Sequence, residues 1–197
     1  MDNTIYKNSY ISQIEQLSTI IDSLNKRILD DNPDLLICNN SNFFSKSFLT
    51  TMCAYLESYL KDVLMIIVVE TNTKLNSVKL PHNLIQWSLN MNKNLKEIDY
   101  KYENLNLTIE KKILDDYISG NPFKTVDLFK KFGINLQANQ IFKTQKEQIN
   151  SIVAKRNKIL HHNDEASDVS FDDLQKNIIL LKSYISNIDK VICEHLA

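Results

Sequence analysis

The stretch SFDDLQKNIILLKSYISNIDKVICEHL, residues 170–196, decides the fold class. Phe171, Leu174, Ile178, Leu181, Ile185, Ile188 and Ile192 recur at alternating spacings of three and four, which puts all seven on one stripe of a helix. Ser170 opens the segment as a capping residue, with Asp173 three positions on as its reciprocal partner. A stripe of this length must be covered along its whole extent, so the rest of the chain has to supply other helix faces.

Working toward the N-terminus, residues 143–160 keep the same period through Ile149, Ile152, Val153, Ile159 and Leu160. Arg156 interrupts the series three residues after Val153 and four before Leu160, which places it at the edge of a packed face. Pro122 is placed to start a helix over Phe123–Phe132 that Gly133 closes, and a short helix over Thr108–Ile118 ends at Ser119-Gly120-Asn121. Residues 76–106 are rich in Asn and Lys and read as loop or weak helix, with one helical piece over Leu84–Met91. After a capping Ser41 or Asn42, Phe44, Phe48, Met52, Tyr55, Tyr59, Val63 and Ile66 predict a long apolar helix reaching about Asn72. Ile14, Leu17, Ile21, Leu24 and Ile28 predict the first helix, from Tyr6 to Asp30.

Composition agrees with an all-α reading. Two glycines and three prolines are too few for the tight turns of a sandwich or barrel. With 197 residues and 43% hydrophobic content, the expectation is one domain over 1–197, with a helical N-terminal half (1–75) and a C-terminal half (122–197). Three dispersed cysteines suggest neither a disulfide framework nor a thiolate zinc site. The N-terminus lacks a signal-peptide pattern, and the apolar run Val63–Val69 is too short to cross a bilayer, so a cytoplasmic protein without membrane attachment is expected. The net charge of −1 conceals a local asymmetry. Lys124, Lys130, Lys131, Lys143, Lys146, Lys155, Arg156 and Lys158 face only Asp127 and Glu147, a balance of +6, and then Asp164, Glu165, Asp168, Asp172 and Asp173 reverse the sign. Such a basic stretch is either a solvated face or a surface for a polyanion.

The run Ile152-Val153-Ala154-Lys155-Arg156-Asn157-Lys158-Ile159-Leu160-His161 closely resembles the R-N-x-x-x-H signature of HEPN domains. Phe129-Lys130-Lys131-Phe132-Gly133-Ile134 upstream, and the polar loop before the terminal helix, are similar to the RiboL-PSP or MAE-type branch. Leu56-Glu57-Ser58-Tyr59-Leu60 resembles the helix on which such proteins often carry a glutamate. Relatives usually have a small residue after the motif histidine where this chain has His162, so His161 and His162 both stand as candidates. The resemblance implies an up-and-down helical bundle with extra short helices and a metal-independent endoribonuclease without cofactors, in a toxin-like or anti-phage role with an antitoxin or other defence-system protein as a candidate partner. It further implies 2′-OH attack leaving a 2′,3′-cyclic phosphate, or, in a non-catalytic relative, an RNA-, nucleotide- or protein-binding module.

The chemistry suits these residue types. Histidine titrates near neutrality and can move a proton, while arginine stays charged and grips phosphate with two parallel hydrogen bonds. In this scheme His161 or His162 is the acid–base group, Arg156 stabilises the pentacoordinate phosphate, Asn157 positions one of them, and Lys155, Lys158, Lys143 and Lys146 hold RNA. Glu57, in so apolar a helix, needs a partner; it either orients the motif or binds a lysine or backbone group. Arg156 and His161 are five residues apart, about 140° around a helix, so one helix does not aim both at one phosphate unless its end unwinds. HEPN ribonucleases, the resemblance implies, solve this by homodimerising so that two motifs face each other. Alternatives remain open: Arg156 could serve only a structural ion pair, the histidines could be cations at a helix C-terminus, and His161, His162, Asp164 and Glu165 could form a metal cluster, although no metal-ligand spacing such as H-E-x-x-H is present. Tyr55 and Tyr59 read as core aromatics with hydrated hydroxyls.

Overall fold

The computed structural model describes residues 2–90, 105–162 and 168–197, apart from the side chain of His162. Eight α-helices and one 3₁₀ turn, and no strand, are present among the described residues: α1 (Lys7–Ile28), α2 (Leu35–Asn39), α3 (Ser41–Val78), α4 (His82–Ser88), α5 (Lys111–Asp115), α6 (Pro122–Lys131), the turn Leu136–Ala138, α7 (Gln140–His162) and α8 (Phe171–Leu196). The fold is thus the expected all-α bundle with extra short helices.

Topology follows from which residues meet. Phe48 of α3 packs on Phe171 of α8, rings 6.1 Å apart, and Tyr59 reaches the Ile185 carbonyl at 3.3 Å, so α3 and α8 run parallel. Ser18 and Asn25 of α1 bond Gln175 and Asp172 in reverse order, and Tyr10 bonds Asp62 at 2.6 Å, which makes α1 antiparallel to both. Helix α7 is likewise antiparallel to α8: Phe142 stacks on Tyr184 at 5.3 Å near one end, and Lys155 pairs with Asp168 near the other. The four long helices therefore alternate up and down, with α3 and α8 as a central pair that touches both α1 and α7.

The terminal stripe behaves as its spacing requires. Phe171, Leu174, Ile178, Leu181, Ile185, Ile188 and Ile192 are all buried, and Ser170 and Asp173 make the reciprocal capping box. Helix α3 runs six residues beyond the expected Asn72, because Asn72 itself is anchored: its side chain accepts from Leu107 N–H at 2.7 Å and donates to Leu107 C=O at 3.1 Å. Left-handed Lys79 (φ 48°) and Pro81 then end it. The expected helix over Thr108–Ile118 shrinks to Lys111–Asp115, and that over Leu84–Met91 begins two residues earlier, just after Pro81.

The hydroxyl of Tyr59 corrects the expectation that it is hydrated. Tyr59 is wholly buried and donates to Asp189 at 3.0 Å, and Asp189 is itself completely buried and accepts from Thr4 N–H at 3.0 Å and from the Thr4 hydroxyl. This network ties the segment before α1 to the far end of α8.

Candidate functional site

Helix α7 turns Ile149, Val153 and Ile159 into the core, each at most 9% exposed, and Arg156 lies on the border of that face. Its side chain, 13% exposed, crosses to α3, where Nη2 donates to Oε1 of Glu57. Cys53, one turn before Glu57 on α3, borders the same guanidinium: burial pushes its thiol up to about 11, against the opposing pull of the Arg156 charge. At neutral pH Cys53 is therefore a protonated, apolar neighbour.

A third wall comes from the loop between α5 and α6. Gly120 sits at φ +64°, and a Cβ there would lie 3.4 Å from both Glu57 Oε1 and Val153 Cγ2. The left-handed backbone that brings the chain beside the ion pair is one that glycine adopts freely and other residues do not. Asn121 holds the loop in place: its carbonyl oxygen caps α6 by accepting from Phe123 and Lys124 N–H, and its amide donates to Asn150 of α7 at 3.1 Å. Two side-chain atoms around this wall, Arg156 Nε and Ser119 Oγ, are buried without a hydrogen-bond partner among the described residues. From sequence, Gly120 read only as part of a helix terminator and Cys53 only as one of three dispersed cysteines; nothing local ties either to a motif on another helix.

The remaining predicted residues spread along and around α7. Because α7 stays helical through His162, the exposed His161 points about 140° away from Arg156, and one chain does not bring the two together. Asn157 is half-buried and shares a face with His161. Lys155 pairs with Asp168, and Lys158 is exposed. Lys143 is exposed and Lys146 places Nζ 3.8 Å from the Phe123 ring centroid; both sit more than 20 Å from His161, at about 1.5 Å per residue. The described backbone of His162 ends α7, while Asp164 and Glu165 lie outside the described residues. Among the described residues no three His, Cys, Asp or Glu converge on a possible metal position, and no helix is long and apolar enough to cross a membrane.

The family model described as RiboL-PSP-HEPN matches residues 8–194, almost the whole chain. No curated protein and no solved structure matches it.

Proposed function

The chain belongs to the RiboL-PSP-HEPN family, and we propose that it is a metal-independent endoribonuclease that cuts RNA by 2′-OH attack, as a cytoplasmic homodimer. The observation that carries this reading is the setting of Arg156: a permanently charged group held against Glu57, fixed from a third side by Gly120, and five positions ahead of an exposed His161. His161 moves the proton of the attacking or leaving oxygen, Arg156 meets the charge that grows on the phosphate, and Asn157 orients His161 from the same helix face. His162 is the alternative acid–base group. Lys158 and, along α7, Lys143 and Lys146 supply the field that draws RNA in. Arg156 and His161 diverge within one copy, so the working site takes them from two. A toxin-like or anti-phage role, with an antitoxin protein as partner, fits this chemistry.

The test is incubation of the purified protein with structured and unstructured RNA in EDTA, beside Arg156→Gln and His161→Ala. Cleavage with 2′,3′-cyclic phosphate ends, lost by at least about 100-fold in either variant, is the expected result. Cleavage that persists in both, or that occurs for no RNA, overturns it.

A second reading has one observation in its favour: Arg156 and Lys155 are both already engaged, by Glu57 and Asp168. A module that binds RNA or a protein without turnover would keep its cations so. Salt-sensitive RNA binding with no cleavage would select it.

A further inference from the structure

Beside its apolar stripe, α7 carries a second one that ends on His161. Lys143, Lys146, Asn150, Ala154, Asn157 and His161 follow one another at spacings of three and four, so they stand on one face of the helix. All are half-buried or exposed, none is acidic, and Glu147, the one acid of α7, falls outside the series. The first turn of α6 forms a bank along this stripe. Asn121 donates its amide to the side-chain oxygen of Asn150 at 3.1 Å, and Phe123 lies against Lys146, whose Nζ is 3.8 Å from the ring centroid.

Phe123 has no place in the core: it is the second residue of α6 and 41% exposed. The reach of Lys146 over its ring shows that one face is open to a flexible group from outside the core. Lys124 beside it and Lys143, one turn before Lys146, are exposed cations. Over α6 and α7 together, eight basic residues stand against Asp127 and Glu147 alone. Cations beside an accessible ring, with the amides of Asn150 and Asn157 between the ring and His161, fit an anionic backbone that carries flat apolar groups. That is the chemistry of an unpaired nucleic acid strand. A duplex, whose bases are stacked inside, would engage the cations and leave the ring unused.

We propose that Phe123 is a stacking platform for one unpaired base of the RNA, with Lys146 and Lys124 on the flanking phosphates, at the far end of a track that starts at His161. The inference rests on reading His161 as part of an RNA-cutting site and deepens it, because it fixes where the strand runs beyond the cleaved bond. Fifteen residues of helix separate Lys146 from His161, about 22 Å at 1.5 Å per residue. A strand of roughly four nucleotides covers that distance. On binding, Lys146 leaves the ring for a phosphate and a base takes its place, since base–aromatic stacking is the stronger contact of the two. The molecule contains its own comparison. Tyr117, after α5, is 46% exposed and has Lys131 Nζ 5.1 Å from its ring centroid, but it lies off the stripe of α7. If the Phe123–Lys146 contact were only an ordinary surface pair, the two aromatic residues would behave alike.

Fluorescence anisotropy tests this with the full chain and a labelled RNA of about 12 nucleotides, 2′-O-methylated throughout so that it cannot be cut, as single strand and as duplex. The variants are Phe123→Ala, Phe123→Trp and Tyr117→Ala, with circular dichroism checking that each keeps its helix content. Phe123→Ala is expected to bind the single strand about tenfold more weakly and the duplex as the wild type does. Tyr117→Ala should match the wild type on both. Phe123→Trp, made together with Trp87→Phe so that its emission stands alone, should keep the affinity and lose fluorescence as the strand binds. A wild type that binds no RNA overturns the assignment, as does a Phe123→Ala protein with full affinity, an equal loss on the duplex, or an equal loss in Tyr117→Ala. The readout is independent of cleavage. Phe123-dependent binding by a protein that cuts no RNA leaves the platform assigned and the ribonuclease reading refuted, whereas cleavage whose KM is unchanged in Phe123→Ala does the reverse.

Discussion

Cys53 offers the most direct test of how the site is held. Its thiol touches the Arg156 guanidinium, yet burial outweighs that charge and raises it from 9.0 to about 11. The native protein therefore binds this proton more tightly than the unfolded chain does. Stability from Cys53 is complete below pH 9 and drains away as the pH rises from about 9 to 11. Tyr10, Tyr59 and Tyr184 are shifted in the same direction, chiefly by burial, and extend the loss to higher pH. Urea unfolding at a series of pH values should show stability falling above pH 9, and Cys53→Ala should flatten the slope between pH 9 and 11 only; an unchanged slope would mean that the thiol does not titrate in this way. Thiol labelling at pH 8 is a companion measurement, in which the half-buried Cys38 reacts and Cys53 does not.

Among the elements, the loop before α6 brings a left-handed glycine against the Arg156–Glu57 pair. Gly133→Ala and Gly120→Ala both force a side chain into left-handed backbone, at φ +75° and +64°, which costs about 1–2 kcal/mol. At Gly133 the new methyl meets open space apart from His195 at 4.0 Å, whereas at Gly120 it comes within 3.4 Å of Glu57 and Val153, the closest that ordinary contact allows. Gly120→Ala should thus lower the melting temperature further than Gly133→Ala, and it alone should reduce RNA cleavage. Equal effects on both would remove the loop from the site. Asp189 is the corresponding device on α8. Asp189→Ala strands the Thr4 amide in the core and leaves the Tyr59 hydroxyl only the Ile185 carbonyl at 3.3 Å, at a cost of about 1–3 kcal/mol, and hydrogen exchange at the Thr4 amide should speed up more than at the middle of α8. These two features also mark where reading the sequence stops. The long helices, the capping box of Ser170 and the border position of Arg156 were legible, because each is set by residues within two turns. The partners were not: Glu57 lies 99 positions from Arg156 and Thr4 lies 185 from Asp189, and an acid next to an apolar stripe looks the same whether it faces water or a buried hydroxyl. Helix α2 escaped for another reason, being five residues long with one buried side chain and therefore carrying no periodicity.

At the scale of the whole molecule the argument turns on direction. Within one copy, Arg156 faces α3 and His161 faces solvent about 140° away, so the proposed reaction draws them from separate chains unless the last turn of α7 unwinds. That arrangement has an arithmetic consequence. In a heterodimer of Arg156→Gln with His161→Ala, one of the two sites receives the intact arginine of one copy and the intact histidine of the other, while the second site receives neither. Random mixing makes about half of the dimers hetero, each with one working site, so two inactive proteins combined in equal amounts should recover about a quarter of wild-type cleavage. Recovery should need time for subunit exchange. If both variants dimerise and exchange but recover no activity, Arg156 and His161 serve a site within one copy, and α7 must then unwind at its C-terminal turn on binding RNA. Amide exchange of residues 157–161 with and without a non-cleavable RNA separates these cases, since only an unwound turn loses its protection when the ligand arrives.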